Sequence, residues 1–293
     1  MFITRRQFLT GTAALGGTTA ATGAYAGIVE PAFLLSVTEY RLTPPGWPRD
    51  FPLNIAVIAD PHAAEPYMGA RRIEEIVTAT NALNADLVVL LGDFEGNHRF
   101  VTRLVPSDTW APLWAQCKAP LGVYSILGNH DWWFHLSRIR RSIEKAGIPI
   151  LENDGVRLSH RGRKFWLLGL GDQIAYILGH RQFRGVDDLP KTLATITGDD
   201  PAILLAHEPD IFVKVPRRIS LTLAGHTHGG QVRLFGYSPI VPSNYGNRFA
   251  YGHIVEDGRH MIVSGGLGCS MLPVRFGVPP EIVLVRLGDA SGA

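Results

Sequence analysis

Five apolar runs of strand length each stop at residues that bind metals or carry protons. Residues 55–59 lead into Asp60-Pro61-His62, 87–91 into Gly92-Asp93, and 124–127 into Gly128-Asn129-His130-Asp131. Residues 203–206 lead into His207, and 221–224 into Gly225-His226-Thr227-His228. Short continuous apolar runs bounded by turn residues fit strands buried on both faces. Gly128 lets the chain turn sharply and present three polar side chains in succession. Between the runs the period changes to that of a helix. Residues 71–83 place Ile73, Ile76, Val77, Thr80 and Leu83 on one face, and 136–146 do the same with Ile139, Ile143 and Ala146 before Gly147. A third short helix is predicted at 109–116, after Pro106.

Alternating strands and helices predict an α/β core. An edge strand is expected within 34–42. Later runs at 155–160, 164–170, 232–235, 260–264 and 282–287 are separated by turn residues and read as antiparallel. The expected arrangement is sheets with helices on their outer faces and the polar strand ends gathered at one rim. Those ends are spread from position 60 to 228 and must converge, so residues 51–288 are expected to form one domain. Residues 28–50 precede it as a proline-containing connector.

The first 27 residues read as an export segment. Thr4-Arg5-Arg6-Gln7-Phe8-Leu9 precedes a mildly apolar stretch rich in Ala, Gly and Thr, then Ala24-Tyr25-Ala26 as a cleavage site. The arginine pair resembles a twin-arginine signal or anchor and implies the twin-arginine export machinery as a partner. That route carries folded proteins, which suits a metal centre assembled before export, and places the protein in the periplasm or at the outer face of the cytoplasmic membrane. Composition then removes one class of partner. The 293-residue chain has a formal charge of +2, and losing Arg5 and Arg6 with the leader would take it to zero. No nucleic acid is expected. Cys117 and Cys269 have no metal-finger spacing and read as small buried residues.

Asp60 and His62, two residues apart at a strand end, can aim at one ion, as can His226 and His228. Asp93 has two oxygens and can bridge two cations about 3.5–4 Å apart. Asn129 offers a neutral amide oxygen, and His207 another imidazole. Spacing leaves open which histidine serves which ion.

The ordered blocks Asp60-Pro61-His62, Gly92-Asp93, Gly128-Asn129-His130-Asp131, His207 and Gly225-His226-Thr227-His228 resemble the calcineurin-like metallophosphoesterase superfamily. The blocks 225–232 and 272–282 look like its bacterial branch of exported, cell-envelope phosphoesterases, the YaeI and YkuE type. The resemblance implies an α/β fold, a four-layer α/β/β/α sandwich of two mixed sheets flanked by helices. It implies two divalent metal ions (Mn, Fe or Zn): one held by Asp60, His62, Asp93 and His228, the other by Asp93, Asn129, His207 and His226. His130 becomes the general acid, oriented by Asp131 or by the Asp60 region. The implied reaction is hydrolysis of a phosphate ester by water activated between the ions, on a lipid-linked or wall-linked substrate. Two alternatives stand beside it: a UDP-diacylglucosamine-type pyrophosphatase, and a metal-stabilised envelope-binding protein with little turnover.

Three departures from the family pattern matter. Pro61 replaces a commoner apolar residue. Gly96 stands where purple acid phosphatases carry a tyrosine, which argues against an iron–tyrosinate centre. Gly265 stands where relatives carry arginine, leaving Arg275 or Arg248 to substitute. Trp132 and Trp133 are open to either a cleft or a core role, while Arg71, Arg72, Arg138, Arg140 and Arg141 read as solvated helix faces. The other histidines, at 98, 135, 160, 180, 253 and 260, read as structural.

Overall fold

The computed structural model describes residues 18–288 apart from Asn97 and Arg181. The paired arginines of the leader lie outside the described residues. Fifteen strands are present among them: β1 (Ser36–Leu42), β2 (Leu53–Ile58), β3 (Ala64–Glu65), β4 (Leu87–Leu90), β5 (Arg103–Leu104), β6 (Val123–Ser125), β7 (Asp154–His160), β8 (Arg163–Gly169), β9 (Tyr176–Gly179), β10 (Gln182–Arg184), β11 (Ala202–Ala206), β12 (Leu221–Ala224), β13 (Gly252–Glu256), β14 (Arg259–Val263) and β15 (Glu281–Leu287). They form a five-stranded sheet in the order β1-β15-β2-β4-β6, a six-stranded sheet in the order β13-β14-β12-β11-β8-β7, and the pairs β9–β10 and β3–β5.

The layering follows from side-chain alternation along the strands. On β2, Leu53, Ile55 and Val57 point into a core between the two large sheets, where they meet Leu167, Leu205 and Leu223 of the second sheet. Ala56 and Ile58 point the other way, toward Ile73, Ile76 and Val77 of the helix Ala70–Ala82, Trp110 and Trp114 of Ser107–Trp114, and Ile139 and Ile143 of Leu136–Lys145. The outer face of the second sheet is covered by Leu189, Ile211, Phe212 and Phe249. The result is helix, sheet, sheet, helix, with both sheets mixed.

β2, β4 and β6 run parallel, as do β11 and β12, so all five polar strand ends lie at the carboxyl ends of parallel strands. The later strands differ from expectation. β8 pairs parallel with β11, and β14 parallel with β12; only their outer partners β7 and β13 are antiparallel. Between β8 and β11 a long connection containing the helix Leu189–Ala194 carries the chain back to the starting end, and between β12 and β14 the strand β13 does so. Residues 232–235 form bridges rather than a strand, including Leu234 with Tyr237.

β1 lies at the sheet edge and pairs parallel with β15, which is antiparallel to β2. Ser36 therefore sits at the same end of the sheet as the metal-ligand candidates. The segment before it is helical, through Tyr25–Val29 and Glu30–Phe33, and is tied down by Arg275 N–H to the Ala26 carbonyl and Val278 N–H to Glu30 Oε1. Among the described residues no helix is long and apolar enough to cross a membrane.

Candidate metal centre

The ligands stand on backbone that ordinary residues avoid. Asp60, His62, Asp93, His226 and His228 have φ of 52°, 47°, 56°, 68° and 51°. The left-handed region is costly for side chains, so five such residues at the strand ends mark a place where function sets the conformation. The surrounding loops hold it: Asp60 N–H bonds the Gly92 carbonyl at 3.2 Å, and His62 N–H bonds the Asp93 carbonyl at 3.0 Å.

The seven metal-ligand candidates converge. Asp93 Oδ2 is 3.5 Å from His62 Nε2 and 3.3 Å from His207 Nε2, so its carboxylate lies between two donor clusters. Asp60, His62 and His228 make one cluster and Asp93, His207 and His226 a second; His130 also groups with His62 and Asp93, and Asp172 and Glu208 with His207. Asn129 Oδ1 joins the second, 2.9 Å from His226 Nδ1 and 3.2 Å from His207 Nε2. Asp60 Oδ1 is 3.9 Å from both His207 Nε2 and His228 Nε2, which places it where the clusters meet.

The donor chemistry fits cations. His62 Nε2 and His228 Nε2 face each other at 3.0 Å. Burial pushes His62 down to about 3 and His228 well below the usual imidazole range, so both rings favour the neutral state whose lone pairs ligate metals. Burial also pushes Asp60 up to about 7. Although burial opposes its charge, the imidazoles of His207, His130 and His62 hold Asp93 well below the usual carboxylate range. Burial likewise opposes a charge on His207, but Asp93 and Asp60 raise that ring well above its usual range. Two buried acids and four converging imidazoles form a set that divalent cations can compensate.

His130 opens the short helix Asn129–Trp133; its N–H bonds Asp93 Oδ1 at 2.8 Å, and its ring stands edge-on to His62 at 4.7 Å. Its ring nitrogen Nδ1 is buried and has no hydrogen-bond partner. Asp131 sits elsewhere in the design. Its carboxylate accepts from the N–H groups of Asp93, Phe94 and Gly128, each at 2.9 Å. The orienting contact expected between Asp131 and His130 is thus replaced by a staple joining two ligand loops. Gly128 is required beside it, because a Cβ there would collide with Asp93 Oδ1 and His207 Cε1.

Arg275, considered above as a phosphate contact, is fully buried and lies behind His228. Its guanidinium is 3.3 Å from His228 Nδ1 and donates to the carbonyls of Gly265, Gly268 and Val278. Arg248 forks onto Glu256, with both contacts at 2.7 Å. Gly96 allows no side chain, since its Cβ would overlap His62, so a tyrosine ligand is excluded sterically. Arg138 is exposed as expected, yet its guanidinium also bonds buried Glu95 at 2.8 and 3.0 Å, and Glu95 in turn offers its carbonyl to His62 Nδ1 at 3.4 Å.

Two further features lie at the site's edge. Trp133 stacks on Phe183 at 5.8 Å and Trp132 meets Tyr176 edge-on at 5.4 Å, so the β9–β10 hairpin extends an aromatic wall beside His130. Asp172, buried with Glu208, is pushed up to about 11 by burial and by the Glu208 charge. That pair has no spacing signature in the sequence.

Comparison with known sequences identifies a family. Residues 53–230 match the family described as calcineurin-like phosphoesterase. The chain is 31% identical over 303 residues to the uncharacterized metallophosphoesterase YkuE of Bacillus subtilis (strain 168), covering 99% of each chain. It is 28% identical over 295 residues to the phosphodiesterase YaeI of Escherichia coli (strain K12), covering 97% of this chain and 99% of that one. The crystal structure of the calcineurin-like phosphoesterase YfkN from Bacillus subtilis aligns with a TM-score of 0.47 at 17% identity, over 74% of this chain and 82% of that one.

Proposed function

We propose, on the premise that this chain belongs to the calcineurin-like phosphoesterase family and is a phosphoric ester hydrolase, that it cleaves a phosphodiester at the cell envelope with two divalent cations. The observation that carries the reading is the single Asp93 carboxylate standing between two donor clusters. Such a pair of cations, when bound, lowers the pKa of water and clamps phosphate oxygens. Asp60, His62, Asp93 and His228 would hold one, and Asp93, Asn129, His207 and His226 the other. The mixed nitrogen and oxygen donors suit Mn²⁺, Fe²⁺ or Zn²⁺.

The chain's own residues supply the rest. His130 stands beside the cradle without a partner at Nδ1, and as the imidazolium it would hand its proton to the leaving alkoxide. Asp131 keeps the two ligand loops at fixed separation. A monoanionic diester is favoured over a dianionic monoester because Arg275 and Arg248 are committed to carbonyls and to Glu256. The aromatic wall of Trp133 and Phe183 offers an apolar surface for the leaving group. The E. coli relative's phosphodiesterase name points the same way. Envelope location rests on the twin-arginine pattern at residues 4–9.

The test is turnover by protein loaded separately with Mn²⁺, Fe²⁺ and Zn²⁺, on bis-p-nitrophenyl phosphate and on p-nitrophenyl phosphate. Faster cleavage of the diester is expected. Full metal content without hydrolysis of either would overturn the proposal in favour of a binding protein.

A further inference from the structure

Four segments surround the metal-ligand rim: 96–106 after the Asp93 loop, the hairpin region 173–186, 231–249 after His228, and 265–280 before β15. None contains an aspartate or a glutamate. Exposed arginines are present instead, among them Arg99, Arg103 and Arg184. The same segments carry several of the most exposed large apolar side chains among the described residues: Phe235 at 108%, Ile240 and Met271 at 79%, and Phe100 at 62%. Soluble monomers rarely gather such residues in one place.

Two of these side chains are also held in strained backbone. Phe235 and Gly236 form the tip of a tight turn closed by reciprocal hydrogen bonds between Leu234 and Tyr237, with φ of 50° at Phe235. Met271 has φ of 59°. Positive φ is unfavourable for bulky residues, and burial does not compensate either of them. Glycine or asparagine would suit both positions better. Strain together with full exposure points to a contact made outside the chain.

The apolar residues form a connected surface. Arg99 N–H bonds the Met271 carbonyl, the Gln231 amide bonds the carbonyls of Leu272 and Val274, and Arg233 N–H bonds the Phe276 carbonyl. The N-terminal helical segment joins it: Tyr25 packs edge-on to Phe276 at 6.0 Å, leaving Ile28 54% and Phe33 70% exposed. Across the rim, Ile177 and Leu178 project from the hairpin, each 58% exposed.

We propose that this rim docks on an anionic lipid bilayer, with Phe235, Ile240 and Met271 entering the headgroup region and the metal-ligand cleft facing the membrane. Charge selects this occupant, because segments without carboxylates and with exposed arginines are attracted to anionic lipid. Topology supports it too: the helical segment 25–33, just before β1, enters the fold at the same rim. The inference builds on the phosphoesterase reading by giving its diester a source, a phospholipid or lipid-linked phosphate met without leaving the membrane surface.

The test uses the full chain with vesicles of phosphatidylethanolamine and phosphatidylglycerol, and a nitroxide at Phe235→Cys or Asp257→Cys. Cys117 and Cys269 are buried, which directs the label to the new thiol. Asp257 lies in the turn between β13 and β14, at the opposite end of the strands. On these vesicles the label at 235 should gain access to dissolved oxygen and lose access to a water-soluble nickel chelate, while the label at 257 should not change. The double variant Phe235→Ser/Ile240→Ser should partition at least about tenfold more weakly and hydrolyse soluble bis-p-nitrophenyl phosphate as well as the parent. A label at 235 that stays open to nickel on bound protein overturns the proposal, leaving the leader as the only membrane contact. Loss of label mobility with rising protein concentration and no lipid overturns it in favour of a second copy. Failure of the phosphoesterase reading would show separately, as absence of soluble diester hydrolysis by the parent.

Discussion

The two large sheets bring different chemistry to the same rim. Of the seven ligand candidates, the strand ends of the five-stranded sheet supply Asp60, Asp93 and Asn129 with one imidazole, His62; those of the six-stranded sheet supply the imidazoles His207, His226 and His228, with the buried acids Asp172 and Glu208 beside His207. The ligating carboxylates thus come from one side and most of the imidazoles from the other, and the seven-residue set needs both. The apolar core between the sheets is therefore what sets the distances among ligands. A ligand pair such as His62 and His228, 166 positions apart in sequence, meets at 3.0 Å only because Leu53, Ile55 and Val57 pack on Leu205 and Leu223.

Replacing the shared acid tests this division most severely. Asp93→Asn should lower diester turnover on the order of 10³-fold or more and reduce the bound metal measured by elemental analysis. An unchanged metal content with normal turnover would mean that the two sides do not share a carboxylate. Gly128→Ala forces a methyl group between Asp93 and His207, and should cost about 10²-fold in turnover through displaced ligands. His130→Ala should keep both metals and lose about 10²–10⁴-fold on esters with poor leaving groups, with a smaller loss on p-nitrophenyl esters. Matching losses on both ester types would remove its acid role.

Behind the imidazole side, Arg275→Met should reduce unfolding free energy in urea by about 3 kcal/mol, because it leaves buried carbonyls of Gly265, Gly268 and Val278 without donors. The smallest effect is expected at the edge of the six-stranded sheet. Burial lowers the pKa of both His253 and His260, with the His260 charge adding to the shift at His253. The unfolded chain then binds the extra protons, so stability should fall as the pH drops below about 6.5. The decrease in urea midpoint between about pH 7.5 and pH 5.5 should be smaller in His253→Gln.

The cradle was legible in the sequence because each of its strands is apolar to the last position and then stops at a ligand. The assignment of histidines to two centres rests on the family resemblance of those blocks, not on their spacing. The three helices that cover the first sheet were legible within a residue or two, as at 71–83, since buried Ile73, Ile76 and Val77 repeat with helical period, whereas the short helices Glu30–Phe33, Asn129–Trp133 and Leu189–Ala194 were not. What sequence could not give was the company each polar residue keeps across the fold. Arg138 lies on a helix with many charges, and only tertiary packing brings it to Glu95, 43 positions away. Asp131 neighbours His130 in sequence, yet the helical turn aims its carboxylate back at the backbone of residues 93, 94 and 128. The hairpin of β9 and β10 has no buried face, so it lacks the alternation that marks a strand.

The position of β15 has a consequence for how the protein is made. The final strand is not an addition to the edge; it lies between β1 and β2, pairing Glu281 with Ser36 on one side and Val283 with Val57 on the other. Until residues 281–287 are synthesised and released, the first two strands have no partner between them. The sheet that bears the acids must close last, across almost the whole length of the chain, and such distant pairing is slow. A nascent chain stalled short of β15 would expose two open strand edges to its neighbours.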